Sequence, residues 1–113
     1  METKGKAKQP LQKGRALPLA GLIAYQRGAV VSREIVRRTS GTVTLFSFDR
    51  GQGLSEHTAP FDALVVVLDG EARITVAGRA NRVRKGEMIL MPARKPHALQ
   101  AERRFKMLLV MVR

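Results

Sequence analysis

Three observations predict an all-β domain, a sandwich or barrel of short antiparallel strands. From residue 30 onward, β-branched and apolar runs recur at spacings of roughly 8 to 12 residues, the rhythm of all-β architectures. Gly, Asp and Pro punctuate the gaps between runs. Along several runs apolar and polar residues alternate with the period of two that places one strand face in a core and the other in water.

In chain order, the expected strands are 30–38 (VVSREIVRR), 42–48 (TVTLFSF), 54–59, 63–68 (ALVVVL), 71–77 (EARITVA), 80–85, 87–91 (EMILM), 97–101 and 104–112 (RFKMLLVMV). The cleanest alternation is in 71–77, where Ala72, Ile74 and Val76 interleave with Glu71, Arg73 and Thr75. Turns are expected at 49–53, Asp69–Gly70, Gly78–Arg79, Lys85–Gly86 and 93–96. Asp-Gly and other Gly-containing pairs supply the positive φ that tight hairpins need, so strands 63–68 and 71–77 read as a hairpin about Asp69–Gly70.

Ahead of the strands, residues 1–15 (METKGKAKQPLQKGR) are polar and basic, with too little apolar surface to offset chain ordering. They read as a basic disordered tail, leaving residues 16–113 as one barrel domain. Residues 17–25 (ALPLAGLIA) suit either a helical turn or an extended lead-in. A length of 113 residues fits a single core. No cysteine is present, which excludes a disulfide framework, a thiolate metal site and a cysteine nucleophile. No apolar run reaches the length of a signal peptide or a membrane-spanning helix. The expectation is a cytoplasmic protein with no membrane partner.

The formal net charge is +12. Lys4, Lys6, Lys8, Lys13 and Arg15 against Glu2 put +4 on residues 1–15, leaving +8 on the rest. Such a balance attracts polyanions non-specifically. Proteins that grip single-stranded nucleic acid interleave basic residues with stacking aromatics, and this chain has four Phe, one Tyr and no Trp. No specific nucleic-acid partner is therefore expected.

Segments 63–68 and 107–112 are apolar on both faces, so their outer rows must meet something other than water. With Val65, Val67, Met107, Leu109 and Met111 facing the barrel, the outward rows are Leu64, Val66 and Leu68 with Leu108, Val110 and Val112. A two-fold homodimer is the commonest cover for such a surface. The alternative is that residues 17–38 fold over it within one chain.

Two segments carry the candidate chemistry: GLSEHTAPFDALVVVLDG from Gly53 to Gly70, and GEMILMPARKPHAL from Gly86 to Leu99. Together they resemble the two motifs of the cupin family: Gly, a short gap, His-x-His, three or four residues, Glu, six residues, Gly; then Gly, five residues, Pro-x-Gly, two residues, His. The spacing agrees at His57, at Gly70, from Gly86 to Pro92, and at His97. The resemblance spans about residues 42–112. It implies a double-stranded β-helix, or jelly-roll barrel, with the functional site in the barrel mouth.

In metal-dependent members of that family both His of the first motif, its Glu and the His of the second bind one metal ion. Here the second His position is Ala59 and the Glu position is Ala63, so two of the four ligands remain. Arg94 stands where the second motif has Gly, and its Cβ resists a left-handed turn. A divalent transition metal usually takes at least three protein ligands. If one divalent ion (zinc, iron, manganese or nickel) is held, Asp62 or Glu56 is the nearest carboxylate to join His57 and His97. Glu56 points away from the His57 face in a regular strand, and Asp62 lies at a loop-to-strand junction.

An isolated His among apolar residues is most often a hydrogen-bonded interior group, but His57 and His97 are the only two in the chain and both fall on ligand positions of the resembled motifs. The first expectation is thus a small-molecule binding cupin, with His57 and His97 at the mouth and Phe46, Phe48, Met88, Met107 and Arg94 lining the pocket. The bland role of the Phe and Met side chains is core packing. Arg94 and Lys95 beside His97 either attract an anionic ligand or are solvated loop charges. The second expectation is a metal-dependent oxygenase or isomerase built on the same histidines.

Overall fold

A computed structural model describes residues 10–113; the greater part of the expected 1–15 tail lies outside the described residues. Eight strands follow in order: β1 Val30–Arg38, β2 Gly41–Phe48, β3 Gly53–His57, β4 Asp62–Val76, β5 Arg79–Arg84, β6 Met88–Met91, β7 His97–Gln100 and β8 Phe105–Val112. All pairings are antiparallel. The path β1-β2-β8-β4-β7-β3 is continuous, and β5 and β6 add to β4. This is the all-β jelly-roll that the sequence implied.

The expected hairpin at Asp69–Gly70 is absent. Strands 63–68 and 71–77 are one 15-residue strand, β4, whose first half pairs with β6 and β8 and whose second half pairs with β5 and β7. A register shift between Val67 and Asp69 lets the strand bend from one sheet to the other. Gly70 makes the bend with φ of 73°, and a Cβ there would collide with the Arg104 carbonyl. The Asp-Gly signal was real, but what it marks is a bulged corner, because β8 keeps pairing through Gly70 and Phe105.

Inward rows meet in one core. Ala63, Val65, Val67, Ala72 and Ile74 of β4 pack with Phe48, Met91, Leu99, Phe105 and Met107, all buried. The Phe48 and Phe105 rings stack at 4.5 Å between centroids.

A second, outer layer forms where the chain approaching β1 crosses the back of the first sheet. A 3-10 turn at Leu19–Leu22 is followed by Ile23 in extended conformation, and a turn at 27–28, with Ala29 N–H on Gln26 O (3.1 Å) and Gly28 at positive φ, leads into β1. The contacts are largely to backbone carbonyls: Ser47 Oγ donates to Ala24 O (2.8 Å), Lys106 Nζ to Ala20 O (2.7 Å) and Arg33 Nη1 to Leu22 O (3.0 Å). Tyr25 Oη donates to Asp69 across 2.5 Å. Ile23 closes over this face, and Leu45 and Ser47 are wholly buried. The intrachain cover is partial. Val36, Met88, Leu90 and Val112 remain 39–56% exposed, while Leu64, Val66, Leu108 and Val110 are half-buried. Among the described residues no helix is long and apolar enough to cross a membrane.

Candidate functional site

β3 ends on His57 and β7 begins on His97, and the two are register partners. Between Leu54 and His57 the register shifts, so β3 is bulged just before its histidine. His97 is flanked on its other side by Val76 of β4. Ala77 N–H donates to Pro96 O (2.8 Å) and Arg94 N–H to Ala59 O (2.7 Å), which ties the loop before His97 to both neighbouring loops.

The imidazoles face each other, with Nε2 atoms 3.1 Å apart, ring centroids 4.4 Å apart and planes at 70°. His97 is 5% exposed and His57 is open to solvent. Each Nδ1 meets a carbonyl two residues upstream: Ser55 O for His57 (2.8 Å) and Lys95 O for His97 (3.2 Å). A carbonyl only accepts, so both Nδ1 atoms carry hydrogen. In the neutral rings the two Nε2 lone pairs would then confront each other. A hydrogen-bond donor or another electron-poor group placed between them resolves the conflict. Burial first, and the nearby His57 in addition, hold the His97 pKa below the ordinary imidazole value, against the opposing pull of the Lys95 carbonyl.

The remaining candidates are dispersed. Asp62 Oδ1 accepts the Ala93 N–H (2.9 Å) and so braces the loop before His97. Glu56 is exposed on β3. Among the described residues no group of three His, Cys, Asp or Glu side chains is placed to hold a metal ion. Ala63 is buried in the core row, whereas Ala59 falls in the loop after β3, where the strand alternation expected to carry it inward has already ended. Two nitrogens each about 2.0–2.1 Å from one ion, subtending about 90–109°, lie about 2.9–3.4 Å apart, so the imidazoles alone match two corners of a metal site. The side chains supply no third corner, and the four-ligand set of metal-dependent cupins does not fit.

Phe48 and Met107 are fully buried, Phe46 packs against them, and together they fill the barrel. Met88, expected in the lining, is 54% exposed because its pairing with Val66 turns it to the outer face. Arg94 is exposed on the rim and, among the described residues, is one of two non-glycine residues with positive φ, at 66°. For a side chain with a Cβ that conformation costs roughly 1–2 kcal/mol. The two carbonyls that fix the histidine tautomers were not legible from residue types, since a backbone acceptor has no residue-type signature.

A family model described as the cupin domain matches residues 44–112. The chain belongs to the cupin family. A conserved protein of unknown function from Streptococcus pyogenes is 38% identical, with 94% of this chain and 93% of that chain covered and a TM-score of 0.88. A cupin superfamily protein from Desulfitobacterium hafniense is 33% identical over 93% of this cupin and 96% of that chain, with a TM-score of 0.85. A cupin 2 conserved barrel domain protein from Leptotrichia buccalis is 45% identical over 83% of this chain, at a TM-score of 0.82; the match spans 46% of that longer chain. No curated protein matches.

Proposed function

We propose that this cupin binds a small molecule at the barrel mouth, on the imidazole edges of His57 and His97, without a resident metal ion. The observation that carries this reading is the convergence of the two Nε2 atoms at 3.1 Å with both Nδ1 hydrogens already committed to carbonyls. Two polar edges held in fixed tautomers, one buried and one reaching solvent, form a preorganised contact for a ligand group. The packed interior favours the mouth over the barrel core for that ligand.

The competing reading, a metal-dependent oxygenase or isomerase, is favoured by the imidazole spacing and opposed by the donor count. Elemental analysis of protein purified without a histidine tag, combined with native mass spectrometry, separates them. The expected result is substoichiometric metal and a small-molecule adduct weakened about tenfold or more in His57→Ala and His97→Ala, with folding retained. Stoichiometric metal with substrate turnover would overturn the proposal.

The partner we assign to the uncovered part of the outer sheet is a second copy of the chain. Leu90 and Val112 border the half-buried Leu64 and Val110, Val36 lies on the same face beyond Val43, and pairing identical faces buries all of them at once.

A further inference from the structure

The ion pairs among the described residues lie away from the mouth, where cations outnumber carboxylates. Glu34 is paired with Arg37, Glu71 with Arg82 and Arg84, and Glu102 with Arg73, all away from the mouth. At the mouth, the tight turn before β5 brings Arg79, the loop before β7 brings Arg94 and Lys95, and the chain end after β8 brings Arg113. Against these four cations stand Glu56 and Asp62, and one Asp62 oxygen is already taken by the Ala93 N–H. Among the described residues none of the four cations is in an ion pair; Arg113 lies instead on the Phe61 ring, 4.7 Å from its centroid.

Arg94 adds an independent observation. Its left-handed backbone is pinned by its own N–H on Ala59 O, at a position where glycine would be relaxed. Strain of this kind persists where the surroundings over-determine it, and it concentrates at ligand-binding positions. A guanidinium offers a planar fork that matches carboxylate and phosphate oxygens.

We infer that the ligand of the His57–His97 mouth is a small anion presenting a carboxylate or phosphate head, with Arg94 and Lys95 as its charge-recognising residues. This rests on the binding reading above and names the chemical class that the site selects. The recessed His97 sets the size: a small molecule reaches it between the loops, while the rim cations hold the charged head.

The test is an imidazole-resolved NMR titration, in which the two histidines give two sets of ring signals. The probes are acetate, oxalate, benzoate and inorganic phosphate, each carboxylate matched by its neutral amide. The expected result is that at least one anion shifts both rings saturably and its matched amide binds at least tenfold more weakly, phosphate being judged against the carboxamides as a group. Carboxylate and phosphate arms identify the head group. Arg94→Ala with Lys95→Ala should weaken the anion at least tenfold, whereas Arg50→Ala with Arg103→Ala, the same charge loss at the far ends of β3 and β7, should change it less than twofold. Arg94→Gly should raise the melting temperature by about 2–5 °C while weakening the anion, which separates recognition from folding. Amides that bind as well as the acids, or equal losses in both double variants, would overturn the anion inference and leave the binding site standing. No saturable shift of either ring by any probe overturns the anion inference as well, and shifts that survive His57→Ala and His97→Ala overturn the site itself.

Discussion

At His97 two environmental effects oppose each other and burial wins, so the folded protein takes up a proton there less readily than the unfolded chain. The sign of the linkage follows. An imidazole whose folded pKa is depressed stabilises the fold fully above its unfolded value, about 6.5, and that contribution is lost as the pH falls from there through the folded value. Melting temperature should therefore drop between about pH 7 and pH 5, and His97→Gln, which keeps a polar side chain but does not titrate, should flatten that part of the profile. An unchanged slope in the variant would show that other groups control the acid limb. The positions of both histidines were legible from motif spacing alone. Their face-to-face geometry was not, because it depends on a bulge in β3 and on carbonyls of Ser55 and Lys95 that any residue type would supply.

Among the elements, β4 does most to position the site, since its two halves hold the two sheets together and its far end flanks His97 through Val76. Its corner depends on Gly70. Replacing Gly70 by Ala asks for both a left-handed alanine and the displacement of the Arg104 carbonyl, so a loss of about 2–4 kcal/mol in denaturant unfolding is expected. Alanine at Gly86, which also has positive φ but has open space around it, should cost less, and equal losses would contradict the corner account. The strands were legible because alternation is a local signal; β1 spans the same residues as its expected strand and most others differ by one or two at an end. The corner was misread because its deciding partners, Arg104 and Phe105, lie more than thirty residues away in sequence.

For the whole molecule, the proposed dimer rests on how the outer sheet face is divided. The segment ahead of β1 is tied to Ser47, Lys106 and Asp69, while Leu64, Val66, Leu108 and Val110 are half-buried and Leu90 at 56% and Val112 at 50% exposure mark the part left open. Each side chain fully buried there on pairing would contribute roughly 1.5–3 kcal/mol before the costs of association. Light scattering across a dilution series should show a dimer at micromolar concentration, and Leu64→Arg or Val110→Arg should yield a folded monomer. A monomer at every concentration in the unmodified protein would contradict the assignment. The N-terminal cover could not be read from residue types, since most of its contacts are to backbone oxygens of Ala20, Leu22 and Ala24.

The central claim is that the mouth, and not the barrel interior or the sheet surface, is where this cupin takes its ligand. Its most direct test is a map of ligand-induced NMR shifts over the whole chain, with the two imidazole rings and the methyl groups of Val65, Ile74 and Met88 observed together during titration with a small-metabolite pool. The account predicts that the His57 and His97 signals move together and saturate, while Val65 and Ile74 in the core and Met88 on the outer face stay still. Saturating shifts at Val65 and Ile74 or at Met88, with both imidazoles unmoved, would contradict it.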